Sequence, residues 1–166
     1  MNDITICIAT LDEVFVINRL AHEIWWPAYA KLLPHDQIDF MLKAIYSFDA
    51  LRNQMAAGQR FCLAKRNGDA IGFVGFQPKP SVRSIMRIEK LYVLPSEQKK
   101  GIGKLLIDYV AQIALTADLH CLELNVYQYN PAKAFYEREG FKVVEAVEIP
   151  YHGYVLNDYV MQKQLP

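Results

Sequence analysis

The stretch from Glu89 to Val126 constrains the fold more than any other. An apolar run, Leu91-Tyr92-Val93-Leu94, stops at Pro95, and a basic loop with glycines follows, Gln98-Lys99-Lys100-Gly101-Ile102-Gly103-Lys104. Ile102, Leu105, Leu106, Tyr109, Val110 and Ile113 then recur at steps of three and four, which predicts an amphipathic helix. Strand character returns over residues 121–126. A strand–helix–strand unit of this kind joins parallel neighbours by a right-handed crossover. The chain therefore reads as α/β.

The flanking sequence adds strands of the other sense. Ile4, Ile6 and Ile8 alternate as in a half-buried strand. Thr10-Leu11-Asp12-Glu13 has the form of a capping box, and the helix it opens is expected to run toward Glu23 and break up near Trp25-Trp26-Pro27. Further helices are expected over 36–45 and from Ser47 toward Gly58. Residues 60–66 and 70–76 flank Asn67-Gly68, a pair suited to a type I′ hairpin turn. A strand over 84–93 leads into the loop described above. Residues 131–139 read as a short helix, with Asn130 as N-cap, Pro131 at the first position and Gly140 past the end. Strands over 142–149 and 154–163 complete the pattern. This order gives a mixed, mostly antiparallel sheet with one parallel pair. No repeat or linker divides residues 1–166, so one domain is the expectation.

Composition narrows the function. Eighteen basic and 18 acidic side chains among 166 residues leave no net charge, which argues against wrapping nucleic acid or lying on anionic lipid. No apolar run reaches the ~18 residues a membrane span needs, and Met1-Asn2-Asp3 does not begin like a signal peptide. Cys7, Cys62 and Cys121 are widely spaced and form no CxxC pair, the pattern of buried thiols in a reducing compartment. A cytoplasmic setting is expected. His22-Glu23 opens like a zinc-binding HExxH, but Trp26 occupies the fifth position, and His35, His120 and His152 are isolated. No metal is expected.

The loop at 98–104 has the chemistry of a phosphate site. Amides at a helix start lack intrahelical partners, the helix dipole is positive there, and glycine lets the backbone approach a ligand. Lys99, Lys100 and Lys104 add charge. A P-loop is excluded because Leu105 follows Lys104 and no glycine stands five positions before Gly103; the dinucleotide fingerprint is excluded by Leu106. The pattern that fits is Gln-x-x-Gly-x-Gly, Gln98 to Gly103. With Glu89-Lys90-Leu91-Tyr92-Val93-Leu94-Pro95 before it, and Leu124-Asn125-Val126-Tyr127 and Asn130-Pro131-Ala132-Lys133-Ala134-Phe135-Tyr136-Glu137-Arg138-Glu139-Gly140-Phe141 after it, the chain resembles the GNAT superfamily of N-acetyltransferases. The resemblance is strong from about Arg60 onward and loose over the first ~58 residues.

That resemblance implies a fold and a mechanism. The fold is α/β (α+β): a single mixed sheet of about seven strands, mostly antiparallel and flanked by helices, with splayed central parallel strands. The activity is transfer of acetyl from acetyl-CoA to an amine, in a ternary complex without a covalent enzyme intermediate. The pantetheine arm would pair along Leu91, Tyr92 and Val93 as an added strand does. The diphosphate would sit on Gln98, Lys99, Lys100, Gly101, Ile102, Gly103 and Lys104. Asn130, Lys133 and Tyr136 would complete the CoA contacts. The Val93 amide would stabilise the developing oxyanion, a donor worth about 3 kcal/mol in comparable sites. An amine of pKa ~10.4 is only about one-thousandth neutral near pH 7.4, so a base helps. Glu89 is the candidate, on the same strand face as Leu91 and Val93. Tyr136 is the candidate acid for the departing thiolate.

The acceptor is the least legible part. By the same resemblance it is bounded by residues 25–37 and by a loop over 148–154. Trp26, Tyr29, Glu89, Tyr127 and Tyr154 are the residues expected to bind it, and aromatic faces and carboxylates favour a cation. The ending Gly153-Tyr154-Val155-Leu156-Asn157-Asp158-Tyr159 looks like a small-amine and polyamine branch. Protein N-termini or lysines are the alternative acceptors, and a CoA-binding regulator without turnover is the alternative class. The resemblance leaves a homodimer open.

Overall fold

The computed structural model describes residues 3–166; Met1 and Asn2, part of the start read for leader character, lie outside the described residues. Seven strands form one sheet in the order β1-β2-β3-β4-β5-β7-β6. They are β1 (Ile4–Ile8), β2 (Arg60–Arg66), β3 (Asp69–Pro78), β4 (Ile85–Val93), β5 (Cys121–Tyr127), β6 (Lys142–Tyr151) and β7 (Tyr154–Gln164). The helices are α1 (Val14–Tyr29), α2 (His35–Tyr46), α3 (Phe48–Ala56), α4 (Ile102–Thr116) and α5 (Ala132–Arg138). β4 and β5 pair in parallel from Ile85↔Cys121 to Ile88↔Leu124, with α4 as the crossover, and β4 runs on to Val93. The pairs β1–β2, β2–β3, β5–β7 and β6–β7 are antiparallel.

The described residues form two compact units, 3–76 with Lys90–Tyr109, and Gln77–Glu89 with Val110–Pro166. In the first, α1, α2 and α3 bury Ile17, Leu20, Ile24, Ile38, Leu42 and Leu51 together with Phe61, Leu63 and Phe73 of the hairpin. Local rules place most of these elements. Thr10 N–H donates to Glu13 Oε1 at 3.0 Å, the reach-back half of a capping box. Ser47 Oγ accepts from the Ala50 amide at 3.2 Å and starts α3. Asn67 (φ 52°) and Gly68 (φ 86°) make the left-handed turn between β2 and β3.

α1 departs from expectation. It does not break up at Trp25-Trp26-Pro27 but continues through Pro27 to Tyr29. Trp25, only 4% exposed, packs its ring 4.7 Å from Tyr29, 5.6 Å from Tyr46 and 5.8 Å from Tyr92. Burial of that aromatic outweighs the hydrogen bond that proline removes. Lys90 is a second surprise: it is buried, donates to Gln59 Oε1 at 2.6 Å and lies 5.3 Å over the Phe61 ring.

In the second unit Leu122, Leu124, Val126, Phe141 and Met161 are buried. Two expectations change here and on α4. Leu105 is 43% exposed, so the buried positions of α4 are Ile102, Leu106, Ile107, Val110 and Ala114. The loop expected over 148–154 is strand on both sides of a tight turn. β6 and β7 pair as far as Tyr151↔Tyr154, and His152 (φ 49°) and Gly153 (φ 87°) turn the chain. A histidine in the left-handed region hid this turn from the sequence reading.

Candidate active site

The basic loop begins where β4 ends. Gln98 Nε2 donates to Val93 O at 3.2 Å, closing the loop onto the strand it leaves. Lys99 (φ 62°) and Gly101 (φ 84°) both take positive φ, the backbone pattern from which anion-binding nests are built. Nothing lies within 4 Å of the point where a Gly101 Cβ would project, so the loop is open on that side. The Leu105 amide donates to Gly101 O at 3.1 Å as α4 begins, with the amides of Ile102 and Gly103 ahead of it. These features fit a diphosphate. The lysines contribute less evenly than their number suggests. Lys100 Nζ lies 3.7 Å from Glu97, Lys104 Nζ lies 3.0 Å from Asp108, and Lys99 is exposed. Glu97 is itself gripped by the Arg66 guanidinium, which holds its carboxyl below the usual range.

Leu91, Tyr92 and Val93 are half-buried at the end of β4. Tyr92 meets Tyr29 hydroxyl to hydroxyl at 3.1 Å and packs 5.8 Å from Phe73. Tyr29 is 7% exposed, whereas Trp26 is half-buried with its ring 5.5 Å from His35.

The second unit carries a groove of about 530 Å³ whose lining includes Lys79, Arg87, Glu89, Glu123, Asn125 and Glu145, with Val147 and Ile149 among its apolar walls. Glu123 is its buried floor, 2% exposed. It accepts from Lys79 Nζ at 2.9 Å, Arg87 Nη1 at 2.8 Å and Gln162 Nε2 at 2.7 Å. Burial raises its pKa, but these donors outweigh burial and hold the carboxyl below its ordinary value. Arg87 also donates to Asn125 Oδ1 at 2.9 Å and, through Nε, to Glu89 Oε1 at 3.4 Å. Asn125 Nδ2 donates to Asp158 at 3.3 Å, and burial raises the Asp158 carboxyl.

On the same unit, Asn130 Oδ1 caps α5 by accepting from the Ala132 amide at 2.9 Å. Tyr136 is buried at 8% exposure, with Phe135 and Phe141 rings 5.3 and 5.8 Å away. Lys133 Nζ pairs with Glu137 at 3.2 Å and sits 5.4 Å over the Tyr159 ring. Tyr127 is half-buried against Tyr129, and Tyr154 closes the last hairpin opposite Tyr151. Among the described residues no group of three His, Cys, Asp or Glu is placed to hold a metal, and no helix is long and apolar enough to cross a membrane.

From the sequence Glu89 stands out and Asn125 enters only within the Leu124-Asn125-Val126-Tyr127 resemblance, while Arg87, Glu123 and Lys79 are assigned no role. The signal was present in part: Arg87 and Glu89 share parity on one strand, Glu123 and Asn125 on the next. Alternation predicts a polar face, and a polar face ordinarily means solvent.

Residues 18–141 match the acetyltransferase (GNAT) family. The chain belongs to the GNAT acetyltransferase family. As a GNAT protein it is an N-acetyltransferase that uses acetyl-CoA. It is 24% identical over 161 residues to the spermidine N(1)-acetyltransferase of Thermoplasma acidophilum, covering 93% of each chain. It is 32% identical over 108 residues to the peptidyl-lysine N-acetyltransferase YiaC of Escherichia coli, covering 63% of this chain and 66% of that one. In fold it is similar to the PaiA N-acetyltransferase of Thermoplasma acidophilum, solved with coenzyme A (TM-score 0.84, 23% identity, 98% and 99% covered). It is also similar to the ribosomal-protein-S18-alanine N-acetyltransferase of Escherichia coli (TM-score 0.73, 16% identity, 98% and 94% covered).

Proposed function

We propose that residues 1–166 work as one GNAT domain that acetylates a small primary amine of the polyamine class in the cytoplasm. The observation that carries the acceptor class is the match along 93% of both chains to a spermidine N(1)-acetyltransferase. A groove with Glu89 and Glu145 in its lining and aliphatic walls suits an alkyl chain bearing ammonium groups. Peptidyl lysine is the second reading, supported by the 32% identity to YiaC. It has the same reactive group, a primary amine on an alkyl stem.

Bound acetyl-CoA supplies the activated acetyl group. Residues 98–104 hold its diphosphate through backbone amides, helped by Lys99, while Leu91 and Val93 offer strand-edge groups to the pantetheine. Asn130 and Lys133 add CoA contacts. The Val93 amide donates to the carbonyl oxygen as it gains negative charge. Trp26, Tyr29, Tyr127 and Tyr154 serve the acceptor. Glu89 takes a proton from the ammonium, directly or through water, and Tyr136 gives one to the departing sulfur. The amine attacks directly, so no acetyl group rests on the protein.

Two measurements test this. Initial rates with acetyl-CoA and spermidine both varied give intersecting lines; parallel lines would mean a covalent enzyme intermediate. Tyr136→Phe lowers kcat by ~100-fold with CoA affinity retained. An unchanged kcat would remove Tyr136 from the acid role.

A further inference from the structure

Arg87 is held from more than one side. Its Nη1 reaches Glu123 at 2.8 Å and Asn125 at 2.9 Å, both on β5. Those partners are themselves fixed: Glu123 also accepts from Lys79 and Gln162, and Asn125 donates to Asp158. The guanidinium is planar and its donors diverge in a rigid fork, so anchoring one arm aims the other. The other arm, Nε, points to Glu89 Oε1 at 3.4 Å. The Arg87 side chain is only 17% exposed, against 27% for Glu89, so the fork lies deeper than the carboxylate it addresses. Glu123 already has Lys79 and Gln162 as donors, so Arg87 does more than neutralise it.

We infer that Arg87 is a positioning residue for the transfer reaction: clamped by Glu123 and Asn125, its guanidinium orients the Glu89 carboxylate toward the acceptor amine. The inference rests on Glu89 being the base. The charged groups of the surrounding elements are Lys79 beyond β3, Glu123 on β5, Glu145 on β6 and Asp158 on β7. Lys79 is bonded to Glu123, whereas Arg87 Nε is directed at Glu89.

A double-mutant cycle separates positioning from simple support of the fold. Arg87→Gln lowers kcat for spermidine about tenfold in the native background and less than twofold in Glu89→Gln, with the KM for acetyl-CoA unchanged in both. Equal losses in both backgrounds, or a loss that appears in the KM for acetyl-CoA rather than in kcat, would overturn the inference. Should Arg87→Gln fail to fold, Arg87→Lys carries the same cycle; it keeps the charge over Glu123 but lacks the fork, and its loss of kcat must again vanish with Glu89→Gln. Glu89→Gln alone reads the base: full activity in that variant would end the base assignment, and the inference with it. Normal dependence on Glu89 with an additive cycle would end the inference alone.

Discussion

Arg66 grips Glu97 with two nitrogens: Nη2 donates to Oε2 at 2.8 Å, and Nε lies 3.3 and 3.2 Å from the two carboxylate oxygens. The bond ties the end of β2 to the 3-10 turn Pro95–Glu97, the residues just ahead of the basic loop 98–104. Glu97 also meets Lys100 in that loop. Arg66→Ala frees the turn and leaves the groove residues untouched. The expected outcome is a several-fold rise in the KM for acetyl-CoA with kcat nearly unchanged, read from initial rates. A fall in kcat at constant KM would show that the turn serves the chemical step instead.

Gly72 is set by contact rather than by a turn. A Cβ there would lie 2.9 Å from Tyr92 O and 3.4 Å from Val93 Cα, both backbone atoms of β4. Gly72→Ala must force the strands apart, and overpacking of this kind costs about 1–3 kcal/mol. Denaturant unfolding measures the loss. Because Val93 supplies the proposed oxyanion donor, kcat falls in the same variant.

Glu123 makes acid stability predictable. Its folded carboxyl titrates below its ordinary value, so its contribution is complete above the unfolded pKa, ~4.3, and is lost as pH falls through the folded value. Glu123→Gln takes the buried negative charge away from Lys79 and Arg87 and costs about 3 kcal/mol at pH 7. The gap between variant and native protein narrows as pH is lowered below 5 in a series of urea melts. A gap independent of pH would mean that charge at Glu123 contributes nothing.

Two of the three thiols behave as core residues: Cys62 and Cys121 are buried, whereas Cys7, expected to be buried with them, is half-buried. Burial pushes Cys62 up to about 12, and burial followed by the charge of Glu123 raises Cys121. Both stay unmodified by a disulfide reagent at pH 8 in the native protein and react once it is denatured. Their silence leaves half-buried Cys7 as the protein thiol to subtract when released CoA is read as free thiol.

Where a local rule sufficed, the sequence showed the structure. Asn67-Gly68 named its hairpin, and Ser47 and Asn130 their helix starts. Where long-range packing decides, it did not. Pro27 signals a helix end, yet Trp25 finds an aromatic pocket drawn from α2 and β4 and holds the helix straight through it. Lys90 and Glu123 sit at positions that alternation leaves ambiguous. Their partners Gln59, Lys79 and Gln162 lie far along the chain, so neither the burial nor the clamp on Arg87 was visible from neighbouring residues. The resemblance supplied Glu89 and Tyr136, but only the geometry supplied what surrounds Glu89.

The most direct measurement is release of CoA thiol from acetyl-CoA by the purified protein, with acetylated amine counted in the same tube. The acceptors are spermidine, single amino acids, aminoglycosides, and peptides with a free N-terminus or a lysine. One thiol per acetylated amine, with the highest kcat/KM for the polyamine, is the predicted result. Release no faster than the hydrolysis blank with spermidine, or a clear preference for a peptide, would contradict the account.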